Sequence, residues 1–197
     1  ASHCSPKNQE IRVNVLNRIV ILIPAYKEDQ VIMECVNSCL TQDYPKEKYD
    51  IIVISDQMQD ITISTLEALP LKLIKVFFKD STKAKALNYA MDEIGDNYDI
   101  AIILDADNVV DSEFLSHINT SMNQQGVEVV QAHRTAKNQN TKLAILDDIS
   151  EEINNSIFRL GHSNVGLSAA LIGSGMAFKY ELLKKELHLI NAIGGFD

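Results

Sequence analysis

An α/β domain, with a mainly parallel sheet flanked by helices, is what the order of residues predicts. Short continuous apolar runs such as Ile19–Ile23 and Ile51–Ile54 recur along the chain. β-Branched runs of that length, bounded by breakers, read as strands buried on both faces. Between them lie stretches whose apolar residues repeat at helical spacing. Strand–helix alternation implies right-handed crossovers and parallel neighbours. Size agrees with this: 197 residues with 46% hydrophobic side chains suit one domain with a sizeable core.

Residues 1–18 are polar and unpatterned and read as a tail or linker, which leaves 19–197 as the domain. Ile19–Ile23 is the first strand, ended by Pro24. Val31, Ile32, Cys35, Val36, Cys39 and Leu40 then mark an amphipathic helix over 29–42. The Asp43-Tyr44-Pro45 turn leads into a second strand at Ile51–Ile54. A helix over 60–69 stops at Pro70, and a third strand covers 71–78. Lys83–Ile94 is a helix ended by Gly95. A fourth strand over 99–104, a helix over 111–124 and a fifth strand over 127–132 follow. The remainder reads as a long helix over 141–160, a strand within 169–178 and a short helix over 180–187.

Several function classes fall away. The 18 basic and 27 acidic residues leave a net charge of −9, against a nucleic-acid binder's need for a basic face. No apolar run approaches the ~18 residues of a membrane-spanning helix; the stretch Ala169–Phe178 is broken by Gly173, Ser174 and Gly175. Residues 1–18 hold no apolar core of a signal peptide. The chain stops at Asp197, just after a Gly-Gly-Phe turn signal, as expected of a piece of a longer protein. Cys4, Cys35 and Cys39 show no paired spacing and read as reduced, buried thiols. His3, His117, His133, His162 and His188 share no metal-ligand spacing. No Gly-x-Ser-x-Gly elbow, P-loop or Gly-x-Gly-x-x-Gly is present, which removes the simplest hydrolase, kinase-like and dinucleotide readings.

In a parallel α/β sheet, ligands sit beyond the carboxyl ends of the strands. Pro24, Ala25, Tyr26, Lys27 and Glu28 follow the first strand, and Ser55, Asp56 and Asp60 the second. Asp80, Lys83 and Lys85 follow the third, and Asp105, Ala106, Asp107 and Asn108 the fourth. The carboxylates gather on one edge, where like charges repel unless a cation or a set of donors neutralises them. Asp105 and Asp107, two residues apart at the end of an extended run, are expected to point the same way. Two such carboxylates can converge on Mg2+ or Mn2+ and leave positions open for diphosphate oxygens. Turn and capping chemistry is the competing account, and the place at the end of a buried strand favours the metal. Asp56 can accept a nucleobase N–H, or it can cap the helix near Asp60. Lys83 can neutralise a phosphate from the start of its helix, or it can stand in solvent.

These residues together resemble the family 2 glycosyltransferases, inverting enzymes of the GT-A fold. Ile21-Leu22-Ile23-Pro24-Ala25-Tyr26-Lys27-Glu28 is similar to the family's opening segment, and Val53-Ile54-Ser55-Asp56 with Asp60 to its second-strand Asp-Asp-Gly-Ser-x-Asp motif. Lys83-Ala84-Lys85-Ala86-Leu87-Asn88 resembles its Lys-x-x-Ala-Leu-Asn helix, and Asp105-Ala106-Asp107 its metal-binding Asp-x-Asp. Gly173–Phe178 followed by Gly194-Gly195-Phe196-Asp197 is similar to its acceptor-side segment. The resemblance implies a Rossmann-like GT-A sheet. It implies inverting transfer of a sugar from a nucleoside-diphosphate sugar to the hydroxyl of a glycan or lipid-linked acceptor. Pro24, Ala25, Tyr26, Glu28, Asp56, Lys83, Asp105 and Ala106 would contact the donor, Asp105 and Asp107 would hold Mg2+ or Mn2+, and a uridine nucleotide is expected. The general base would fall beyond Asp197. The parent protein would work in the cytoplasm or at the cytoplasmic face of a membrane. The sequence departs from the family pattern with Ser55 for the first Asp, Gln57-Met58 for Gly-Ser and Lys27 for the commoner Asn, and it lacks the Gln-x-x-Arg-Trp segment of processive synthases. Two alternatives stand beside this reading. A nucleotidylyltransferase would usually carry a Gly-rich basic loop after the first strand, where Tyr26-Lys27-Glu28 stands. A non-catalytic nucleotide-binding or assembly module with the same fold would have no need of both metal carboxylates.

Overall fold

The computed structural model describes residues 15–124, 126–132 and 174–188. Its strands are β1 Ile19–Tyr26, β2 Tyr49–Asp56, β3 Lys72–Val76, β4 Ile100–Ile103, β5 Val129–Gln131 and β6 Met176–Lys179. Its helices are α1 Ile32–Leu40, α2 Asp60–Glu67, α3 Lys83–Ile94, α4 Phe114–Met122 and α5 Tyr180–Leu187. The strands form one six-stranded sheet in the order β3-β2-β1-β4-β6-β5. Strands β1 to β4 are parallel, and β6 runs antiparallel to both β4 and β5. The sheet is therefore mainly parallel, as expected, with one reversed strand.

Helices cover both faces. Every residue from Ile19 to Ile23 is fully buried. Ile19, Ile21 and Ile23 pack with Cys35 and Val36 of α1, Leu66 of α2 and Leu115 of α4. Val20 and Leu22 pack with Leu87 and Met91 of α3 and with Tyr180 and Leu183 of α5. A strand with two apolar faces is what a three-layer sandwich requires, and each Ile or Leu so buried contributes roughly 1.5–3 kcal/mol. Strand β3 lies at the edge, and its exposed Lys72 and Lys75 discourage further pairing.

The elements differ from expectation chiefly at their ends. Strand β1 runs two residues past Pro24, still paired with β2. Leu22 directs its carbonyl at Leu104, on the β4 side. Position 24 faces that same side, where β4 has already ended, so the proline's missing N–H breaks no ladder bond. Helix α1 begins at Ile32 rather than 29, because the N–H groups of Val31 and Ile32 close a turn on the Glu28 carbonyl. Helix α4 begins at Phe114 rather than 111, behind a turn in which Glu113 N–H donates to Asp111 Oδ1. Strand β3 stops at Val76, and Phe77 is 83% exposed. Helices α3 and α5 have the expected bounds. Part of the expected tail belongs to the folded unit. The Val15 carbonyl accepts from Asn119 of α4 and from Asn123 just after it, and Asn17 Nδ2 donates to the same two side chains. The helix expected over 141–160 lies outside the described residues.

The chain moves outward from β1 to β2 and β3, then crosses back through α3 to β4 on the other side of β1. That reversal opens the sheet edge between the carboxyl ends of β1 and β4, where an α/β sheet offers a crevice.

Candidate functional site

Strands β1 and β2 end on one rung, Tyr26 opposite Asp56. Both chains then turn through a left-handed residue, Lys27 at φ 56° and Gln57 at φ 55°. Lys27 N–H donates to the Asp56 carbonyl at 3.1 Å, which ties the two exits together. Tyr26 is half-exposed, with Lys27 Nζ 5.0 Å from its ring centre. Ala25 is buried and Pro24 partly so, and Glu28 closes the following turn through its carbonyl.

Asp56 is only 3% exposed. Its Oδ2 accepts from Ser81 Oγ, while Oδ1 is buried and has no hydrogen-bond partner among the described residues. It does not cap α2. The Gln59 N–H before that helix donates to Asp29 Oδ1 at 2.9 Å. A hydrogen bond from Thr62 holds the Asp29 carboxyl below its usual range.

At the end of β4 the geometry departs from the expected extended pair. Leu104 N–H still donates to Leu22, but Asp105–Asn108 is a turn closed by Asn108 N–H on the Asp105 carbonyl at 3.1 Å. The two-residue period of a strand therefore does not orient Asp105 and Asp107. Asp105 Oδ1 pairs with Lys83 Nζ, and the Lys83 side chain is only 15% exposed. Lys83 is thus not a solvated lysine. As the first residue of α3, it is placed by Thr82, whose Oγ1 accepts from Lys85 N–H. Asp107 Oδ1 accepts from Asn108 Nδ2 at 2.8 Å, and Ala106 between the two acids is buried.

Sequence reading missed the groups that hold these residues. Ser81 bonds Asp56, and Ser174 Oγ accepts from Asp105 N–H at 2.8 Å. Cys35 Sγ lies 3.5 Å from the Asp105 carbonyl. Hydrogen bonding to Cys39 and burial push the Cys35 thiol up, so it stays a donor. Of these, Ser174 had a signal in the Gly173-Ser174-Gly175 break, and Ser81 had none. A cavity of about 740 Å³ lies at the opposite edge of the sheet, lined by Leu40, Tyr49, Ile51, Pro70, Leu71 and Tyr98 among others. None of the sequence-predicted site residues lines it.

Asp105 and Asp107 offer hard carboxylate donors of the kind a divalent ion takes together with ligands of its own. Asp105 and Asp107 each keep one carboxylate oxygen without a hydrogen bond among the described residues. No group of three or more His, Cys, Asp or Glu side chains able to hold a metal occurs among those residues. One or two carboxylates completed by phosphate oxygens and water is the arrangement magnesium prefers.

A sheet of this order with acids at its switch point is the fold of GT-A glycosyltransferases, and comparison with known proteins agrees. Residues 17–197 match the family model described as Glycosyltransferase like family 2, and the chain belongs to that family. It is 27% identical over 158 residues to a dolichyl N-acetyl-α-D-glucosaminyl phosphate 3-β-D-2,3-diacetamido-2,3-dideoxy-β-D-glucuronosyltransferase of Methanococcus voltae, covering 75% of this chain and 45% of that protein. It is 30% identical over 110 residues to a poly-β-1,6-N-acetyl-D-glucosamine synthase of Staphylococcus aureus, covering 54% of this chain and 26% of the synthase. Among solved structures, the mannosyltransferase PcManGT from Pyrobaculum calidifontis, in complex with GDP-Man and Mn2+, superposes with a TM-score of 0.67 at 25% identity over 86% of this chain and 46% of its own. TarS 1–349 of S. aureus superposes with a TM-score of 0.64 at 18% identity over 86% of this chain and 49% of its own, a likeness of fold. The chain spans less than half the length of these relatives.

Proposed function

We propose that this chain binds a nucleoside-diphosphate sugar across the carboxyl ends of β1, β2 and β4 and serves inverting transfer of the sugar to an acceptor hydroxyl on a glycan or lipid-linked molecule. The observation that carries this reading is the convergence of Lys83 and Asp105 at the β1/β4 switch point, in a chain of this family. In this reading Asp56 accepts a base N–H at Oδ1, the acceptor with no other partner among the described residues. Pro24, Ala25, Tyr26 and Glu28 border the nucleoside, and Ala106 the sugar. Lys83 stands beside the diphosphate and balances its charge from the N-terminus of α3. Asp105 and Asp107 would hold Mg2+ or Mn2+, which supplies charge stabilisation for the leaving diphosphate. The Mn2+ bound with GDP-Man in the 25%-identical mannosyltransferase supports this assignment.

Calorimetric titration of uridine, guanosine and adenosine diphosphates, each with Mn2+ or with chelator, tests the reading. Tighter binding with Mn2+, lost in Asp107→Ala, is the expected result, with the uridine nucleotide bound best. Equal affinity in metal and chelator would overturn the metal assignment. Failure of every nucleotide to bind would overturn the donor assignment.

A further inference from the structure

Asp105 stands where the pairing between β4 and β6 gives out. On that side Gly175 N–H donates to the Ile103 carbonyl at 2.9 Å, an ordinary backbone bond. The next donor facing the same way is Asp105 N–H, and a side chain satisfies it: Ser174 Oγ, 2.8 Å away. Ser174 is 1% exposed. It is held from behind, since Gln131 Nε2 donates to its carbonyl at 2.9 Å and Ala132 N–H donates to the Gly175 carbonyl at 2.8 Å. The carbonyl of the same residue meets Cys35 Sγ of α1. Three residues along α1, Ser38 Oγ accepts from Val110 N–H, beyond the acid turn. The backbone that carries Asp105 is therefore clamped by side chains from β6's leading residues and from α1. Its carboxylate meanwhile faces Lys83.

We infer that Ser174 is a positioning residue for Asp105, setting by its hydroxyl the direction in which that carboxylate meets a metal–diphosphate ligand. The inference rests on the metal assignment above. A carboxylate swings with its own peptide plane, and a peptide N–H left without an acceptor turns toward another one. Displacement of that kind weakens a ligand that needs strict geometry more than one that does not. Removal of the Ser174 hydroxyl is expected to weaken the metal-dependent part of binding and to leave the metal-independent part alone.

The test titrates uridine diphosphate into the full 197-residue chain, with saturating Mn2+ and with chelator, for Ser174→Ala, Ser174→Thr and Asp107→Ala. Loss of one neutral hydrogen bond corresponds to roughly three- to tenfold. Ser174→Ala should bind about that much more weakly with Mn2+ and unchanged with chelator. Ser174→Thr, which keeps the hydroxyl, should stay within about twofold of the parent. Unchanged affinity in Ser174→Ala, or equal weakening with and without metal, would overturn the inference in favour of a merely structural serine. Should Ser174→Ala fail to fold, Ser174→Cys offers a weaker acceptor in a similar shape and is judged by the same two ratios. Asp107→Ala separates the two levels of argument. If it keeps the Mn2+ enhancement, the metal assignment fails; if it loses the enhancement and the Ser174 variants do not, only the role of Ser174 fails.

Discussion

Lys27 occupies a backbone conformation that its side chain disfavours, and removal of the β-carbon should reveal this as a reversed order of stability. Its φ is 56°, and its N–H is committed to the Asp56 carbonyl, so the turn cannot relax without breaking the link between β1 and β2. A residue with a β-carbon costs roughly 1–2 kcal/mol in this region. Glycine escapes that cost but loses about 0.5–1 kcal/mol through the greater freedom of its unfolded chain. Lys27→Ala and Lys27→Gly both delete the exposed ammonium over the Tyr26 ring, so that contact cancels between them. The glycine variant should therefore be the more stable of the two by roughly 0.75 kcal/mol, the difference of the mid-range values of those terms. At a site with negative φ the order is the opposite. For a chain of this size the gap corresponds to about 1–4 °C in Tm. Urea unfolding followed by circular dichroism at unchanged m measures it directly. Lys27→Asn should also exceed Lys27→Ala, because asparagine tolerates the left-handed region. If alanine equals or surpasses glycine at position 27, the strain argument is refuted.

Gln42 is 4% exposed and joins α1 to α4: its Nε2 donates to the Asp111 carbonyl and its Oε1 accepts from Leu115 N–H. Gln42→Leu should lower the unfolding free energy measured in urea by roughly 1–3 kcal/mol for each of those groups left without a partner, and a loss under about 0.5 kcal/mol would show that water replaces the amide. Tyr98 is pushed up to about 12 by burial and by its hydrogen bond to Asp50, and burial pushes Tyr44 to about 12 as well. Folded values above the ordinary 10 mean that these phenols contribute stability in full below pH 10, and that it is lost as pH rises from 10 through 12. Tyr98→Phe should flatten the decline of Tm over that window relative to the parent, and parallel curves for the two proteins would refute the assignment.

Local pattern determined the layers. Ile19–Ile23 and Ile51–Ile54 announce strands with two apolar faces, and the full burial of Ile19–Ile23 in a sheet covered on both sides follows from that composition. Helix α3 was legible to the residue, with Gly95 marking its end in the sequence; that the Thr82 hydroxyl caps its start is a finding of the structure. The carboxyl-edge residues Asp56, Lys83 and Asp105 were legible as candidates, since each follows a strand that its own neighbours define. What each one touches depended on the tertiary structure. Lys83 reaches Asp105 across 22 residues only because β4 returns to the far side of β1, and Ser174 reaches Asp105 across 69 because β6 runs against β4. The same packing lets β1 continue past Pro24 and holds Lys27 and Gln57 in left-handed turns. Periodicity in a sequence records which face of an element is buried. It carries no record of which elements are neighbours, and hydrogen bonds and ion pairs between distant residues are set by that adjacency.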